Sequence, residues 1–184
     1  MIRALLALLL SAILVSPIPA YGQSAGPTYQ VEVLVFRNSG PREESGGTAP
    51  LRAADPDRAT GSPLVARYAG ALPPERWQLS GLREKLGQSG YRVLAHSGWL
   101  QTPSSWGSRA GLPLDTLGIR VPGLSGQFLL ERGSLLHFGM NLRYGAEGSA
   151  MQELSEIRRI RFNERHYFDH PGLGVIAVVT PVSR

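Results

Sequence analysis

His166 and His170 stand four residues apart, with Asp169 directly before the second, in the run Asn163-Glu164-Arg165-His166-Tyr167-Phe168-Asp169-His170-Pro171. On a helix that spacing would turn both imidazoles toward one metal ion while the acid poises a water. This is the logic of an inverted zincin motif with aspartate in place of glutamate. Two features weaken the match. Aspartate is one methylene short, and Pro171 cuts off the helix that usually supports such a site. A third ligand would have to come from His96, His137 or a distant glutamate. A zinc-dependent hydrolase using His166 and His170 is therefore an alternative reading, set against a binding role with no cofactor and no metal.

The residues just upstream offer a different chemistry. From Glu153 to His170, Glu153 included, stand four arginines and four carboxylates, so the segment can neutralise itself through ion pairs such as those open to Arg158, Arg159, Glu164 and Asp169. The same arginines can instead fork onto carboxylates of a ligand, and Trp99, Trp106, Tyr167 or Phe168 can stack on sugar faces. The ligand-binding candidates are thus Arg158, Arg159, His166, Tyr167, Asp169, His170 and Trp99, with no catalytic residue among them. Because Trp, Tyr and Arg also concentrate in protein interfaces, a protein-protein adaptor that binds no polymer directly is a second reading. His96 and His137, on apolar runs, read first as hydrogen-bonded sheet residues.

These residues need elements to hold them. Residues 156–162 alternate as a mixed-face strand, and from Asn163 the period changes, so a short helical turn capped by Asn163 is predicted over 163–170. Gly174 to Pro181 then reads as a buried strand. At the other end, Tyr29-Gln30-Val31-Glu32-Val33-Leu34-Val35-Phe36-Arg37 is a strong strand. It places the three valines on one face, while Gln30 and Glu32 open the other before Leu34 and Phe36 turn it apolar. Such a strand is central, with a helix on one side.

That helix is predicted from about 75 to 88, with Leu79, Leu82 and Leu86 at helical spacing and Gly87 to Gly90 ending it. Tyr91 to Gln101 is a second strand, followed by a loop that carries Trp106. Further strands are expected at 117–121, 126–132 and 135–144, with turn residues between them. The resulting expectation is an α+β domain, with a mostly antiparallel sheet, one main helix and a short C-terminal helical turn, in a ferredoxin-like or related order. Residues 39–63, rich in Gly, Pro, Ser and charge, read as a mobile loop.

Composition narrows the address. Met1-Ile2-Arg3, the apolar run Ala4 to Val15 and the small residues Ala20-Tyr21-Gly22 have the layout of a secretory signal over residues 1–22. Cleavage after Gly22 leaves 162 residues, 23–184, enough for a single domain with a real core. No later run approaches the roughly 20 apolar residues of a membrane span, so no membrane anchor is expected. The chain has no cysteine, which excludes disulfides, thiolate zinc sites and a lipid anchor on sulfur. The expected compartment is a bacterial periplasm.

Net charge is +5, and arginine supplies all of the basic residues except Lys85. No dense Lys/Arg tail points to nucleic acid; the mild basicity suits an anionic surface or polymer without naming it. No internal repeat, P-loop, dinucleotide fingerprint or nucleophile elbow occurs.

Three blocks together resemble the periplasmic peptidoglycan-binding CsiV-type proteins of Gram-negative bacteria. They are Tyr29 to Phe36, Tyr91-Arg92-Val93-Leu94-Ala95-His96-Ser97-Gly98-Trp99, and the stretch from Arg158-Arg159 through Glu164, His166-Tyr167, Asp169-His170-Pro171 and Gly174. The chain departs from that pattern after Trp99, where Leu100-Gln101-Thr102-Pro103 replaces a more polar tryptophan-glutamine-proline run. The resemblance implies a non-enzymatic envelope protein that binds the cell wall. It also implies support for peptidoglycan synthesis and cell shape, through an outer-membrane lipoprotein that activates a penicillin-binding protein.

Overall fold

The computed structural model describes residues 27–38, 66–145 and 150–182. The expected signal segment, the 39–63 loop and the end of the chain lie outside these residues. Two sheets form a sandwich. The first has strand order β2-β3-β1-β10-β9, from β1 (Tyr29–Asn38), β2 (Arg67–Ala71), β3 (Tyr91–Thr102), β9 (Arg165–His170) and β10 (Leu173–Pro181). The second has the order β4-β6-β7-β8, from β4 (Ser104–Ser105), β6 (Leu124–Arg132), β7 (Leu136–Tyr144) and β8 (Gln152–Arg159), with β5 (Leu112–Pro113) also on β6. All pairings are antiparallel except that of β4 with β6.

This corrects the expected fold class. Strands hold 57% of the described residues and helical turns only 10%, so the domain is predominantly β rather than ferredoxin-like α+β. Among the described residues the one α-helix, α1 (Ser80–Gln88), follows a 3-10 turn at Pro74–Arg76. The segment 163–170 is no helical turn: a tight turn with Asn163 at φ 60 leads straight into strand β9. Asn tolerates that left-handed conformation better than most residues, and its backbone N–H donates to the Val179 carbonyl at 2.9 Å. Phe168 must reach the core and Tyr167 the opposite face, which only a period of two allows. The expected strand at 117–121 is also absent; those residues form turn and coil, with Leu117 and Ile119 packed inward.

The core lies between the sheets. Val31, Val33 and Val35 of β1 meet Phe128, Leu130, Phe138 and Met140 of the second sheet, with Trp99, Phe168, Val175 and Val179 completing the layer. A smaller cluster sits on the outer face of the first sheet. There Leu34, Phe36, Ile176 and Val178 pack beneath Leu79, just before the helix, and Leu82 and Leu86 within it. β1 is therefore covered on both faces, as its apolar sequence demanded, and it lies at the centre of its sheet between β3 and β10.

Candidate functional site

The strand reading of β9 divides the candidate residues between faces. His166, Phe168 and His170 point to the interior side, because they pair with Ala177, Val175 and Leu173 of the core face of β10. Arg165, Tyr167 and Asp169 point outward, on the face that carries the helix. His166 and His170 keep a common face, but four strand residues put them about 13 Å apart, too far to share a metal ion. Among the described residues no group of three or more His, Cys, Asp or Glu comes together as a metal site requires. The geometry that motivated zinc chemistry is gone.

Each of these residues has a local structural setting. His166 Nε2 lies 3.1 Å from the Arg161 backbone N and 3.0 Å from its carbonyl O, and so ties down the turn before β9. Tyr167 stacks on Phe36 with ring centroids 6.2 Å apart. The guanidinium of Arg158 lies 4.1 Å from the centroid of Phe168, on the core side of β8, and approaches Glu156 at 3.5 Å. Trp99, read from sequence as a stacking platform, is wholly buried against Phe128 and donates to Gln101 Oε1 at 2.5 Å. It is a core residue and offers no face to a ligand.

Arg159 points the other way, onto the outer face of the second sheet, and is exposed. Register lines up Glu131, His137 and Arg159 across β6, β7 and β8 in one row. A second row on the same face holds Gln127, Asn141 and Ser155, all half-buried. The loop between β4 and β5 folds over the first row and brings Trp106 to His137, with ring centroids 3.8 Å apart. Arg109 sets its guanidinium 5.0 Å from the centroid of Trp106. This face therefore gathers two arginines, an indole and a line of amide and hydroxyl groups.

Glu131 holds that loop in place. It is fully buried, and it accepts the backbone N–H of Gly107 at 2.8 Å, that of Arg109 at 2.6 Å and the Arg109 guanidinium at 2.6 Å. Three charge-assisted hydrogen bonds on one buried carboxylate fix Trp106 and Arg109 relative to the sheet. Burial holds His137 below its ordinary pKa of 6.5, and the nearby cations Arg109 and Arg159 act in the same direction. Its ring is thus the neutral partner of Trp106 at neutral pH.

A mirror arrangement occurs on the outer face of the first sheet. Glu32, 1% exposed, accepts the backbone N–H of Gln78 at 2.6 Å and of Leu79 at 2.9 Å, where the chain turns into α1. Its Oε1 also lies 2.7 Å from His96 Nε2. Gln30 assists by accepting from Arg76 at 3.1 Å. Trp77 covers His96 with ring centroids 4.2 Å apart, and it can cross β3 only because Gly98 has no Cβ; one built there would come within 2.9 Å of the indole nitrogen.

Sequence reasoning missed Glu32, Glu131, Arg109 and Trp77 as organising residues. Glu32 did carry a signal: an acid between Val31 and Val33, in a strand apolar on both sides, has to be buried with partners.

A family model described as "Peptidoglycan-binding protein, CsiV" matches residues 4–182. The chain belongs to the CsiV family of peptidoglycan-binding proteins. Comparison with curated proteins and with solved structures finds no match. Family membership agrees with the three sequence blocks, all of which have defined places; the third runs from the end of β8 through β9 into the start of β10. Tyr29 to Phe36 is the central strand that carries Glu32, and Tyr91 to Trp99 is the neighbour that carries His96.

Proposed function

We propose that this protein binds peptidoglycan without catalysis, through the outer face of the second sheet. The observation that carries the reading is the family match over residues 4–182. The face supports it chemically. Arg109 and Arg159 can pair with stem-peptide carboxylates, Trp106 supplies an amphipathic ring with 36% of its surface in solvent, and Gln127, Asn141 and Ser155 offer hydrogen bonds to hydroxyl and amide groups. On this reading the protein is exported to the periplasm. There it acts as an accessory of wall synthesis and cell shape, working with an outer-membrane lipoprotein that activates a penicillin-binding protein.

Co-sedimentation of the exported protein with purified sacculi across a salt series tests the wall-binding step. Retention at low salt that weakens as the Debye length shrinks below about 10 Å is the expected result. Loss of retention at every salt, together with capture of a lipoprotein or synthase from the envelope, would make the protein an adaptor instead.

A further inference from the structure

On the opposite side of the sandwich, α1 and β3 border an open groove of about 510 Å³. A volume of some 300–1,000 Å³ suits a small ligand or one or two sugar rings. Its walls combine the flat indole of Trp77 with Ser80, Arg83, Glu84 and His96. His96 is the unusual member. Its side chain is 4% exposed, Nε2 is engaged by Glu32, and Nδ1 has no hydrogen-bond partner among the described residues. A carboxylate only accepts, so Nε2 carries the hydrogen toward Glu32, and Nδ1 is left as a polar atom without a partner among those residues. A buried polar atom without a partner costs free energy comparable to a lost hydrogen bond, and a ligand hydroxyl, which can donate or accept, would remove that cost.

We propose that this groove is a saccharide site that takes a pyranose ring of the wall glycan. The assignment rests on the reading of peptidoglycan as the ligand and goes beyond it, because it names the sugar moiety and a second surface. An aromatic wall matches the apolar C–H face of a sugar, while Ser80, Glu84 and His96 match its hydroxyl and acetamido groups. Glu32 acts as a positioning residue. It orients His96 and, through the backbone of Gln78 and Leu79, sets the start of the helix that forms the other wall.

The test uses three soluble probes: the disaccharide-tetrapeptide released from sacculi by a muramidase, an N-acetylglucosamine tetramer, and the tetrapeptide alone. Binding is read by NMR shifts of the Trp77 indole and His96 ring. Gly87 lines the groove, and a Cβ there would meet no atom within 4 Å, so Gly87→Phe should fill the groove with the fold intact. The expected result is that both sugar probes shift Trp77 and His96 and the peptide does not. Gly87→Phe should weaken both sugar probes at least tenfold, and Glu84→Ala about threefold. If the tetrapeptide alone reproduces the shifts, or Gly87→Phe binds sugar as the wild type does, the assignment is wrong. In that event retention of the wild type by sacculi would leave wall binding by the second sheet standing, whereas no retention would remove both.

Discussion

Glu32 and Glu131 do the same job on opposite faces of the sandwich. Each is a buried carboxylate on the outward side of its sheet, and each accepts two backbone N–H groups from the segment that covers that face. They differ in the third partner. Glu131 takes the guanidinium of Arg109, a permanent cation that continues to the surface, whereas Glu32 takes His96, which ends beside an open groove. The first arrangement sets a cation near the surface, and the second sets a buried imidazole beside a groove. One physical device, a buried acid satisfied by backbone donors, thus supports two surfaces of different character.

The largest expected effect comes from removing either acid. Glu131→Ala leaves two N–H groups and a guanidinium unmatched and should cost about 3 kcal/mol or more, measured by chemical denaturation. Glu32→Ala should cost a similar amount, since hydrogen bonds to a charged acceptor are worth about 1.5–3 kcal/mol each. If one substitution were neutral, the equivalence of the two acids would fail. A smaller change, His96→Phe, removes one donor and should cost about 1.5–3 kcal/mol while the Glu131 side is untouched.

The pH dependence sharpens the comparison further, because burial lowers the pKa of His137 beside the Glu131 row. A base whose folded pKa lies below its unfolded value takes up its proton more readily when unfolded. Its contribution is therefore intact above pH 6.5 and is lost as pH falls from 6.5 through the lowered folded value. Wild type should lose more stability between pH 7.5 and 5.5 than His137→Phe does. Equal losses would show that His137 is not the titrating group.

The smallest expected effect on stability is that of Trp106→Ala. Its ring is packed on His137 but still 36% exposed, so the loss should cost about 1–2 kcal/mol, and it should also reduce retention by sacculi. Trp99→Ala gives the contrast, since loss of a wholly buried tryptophan should cost about 3–5 kcal/mol through the cavity it leaves.

What could be read from the sequence follows from where a pattern is local. β1, the leucine-spaced helix and the final strand were plain, because each rests on a run of apolar residues at one period. The 163–170 segment was not, because Asn163 reads as a helix cap, and only pairing with a distant strand, β10, reveals a left-handed turn into β9. The second sheet was expected in part: 126–132 and 135–144 match β6 and β7, but their separation into a sheet that packs on the first depends on contacts across the chain. Of the site residues, Arg159 lies on the face assigned to the wall. Trp99 reads equally well as platform or core from its type alone, and burial decides for core.

The central claim is that the outer face of the second sheet holds the wall polymer. The most direct measurement is retention of Arg159→Ala and of the double variant Trp106→Ala/Arg159→Ala by sacculi at low salt, with circular dichroism confirming that both stay folded. The account predicts weaker retention for Arg159→Ala, loss of most retention in the double variant, and a shallower salt dependence for each. Folded variants that pellet with sacculi as fully as the wild type would contradict it.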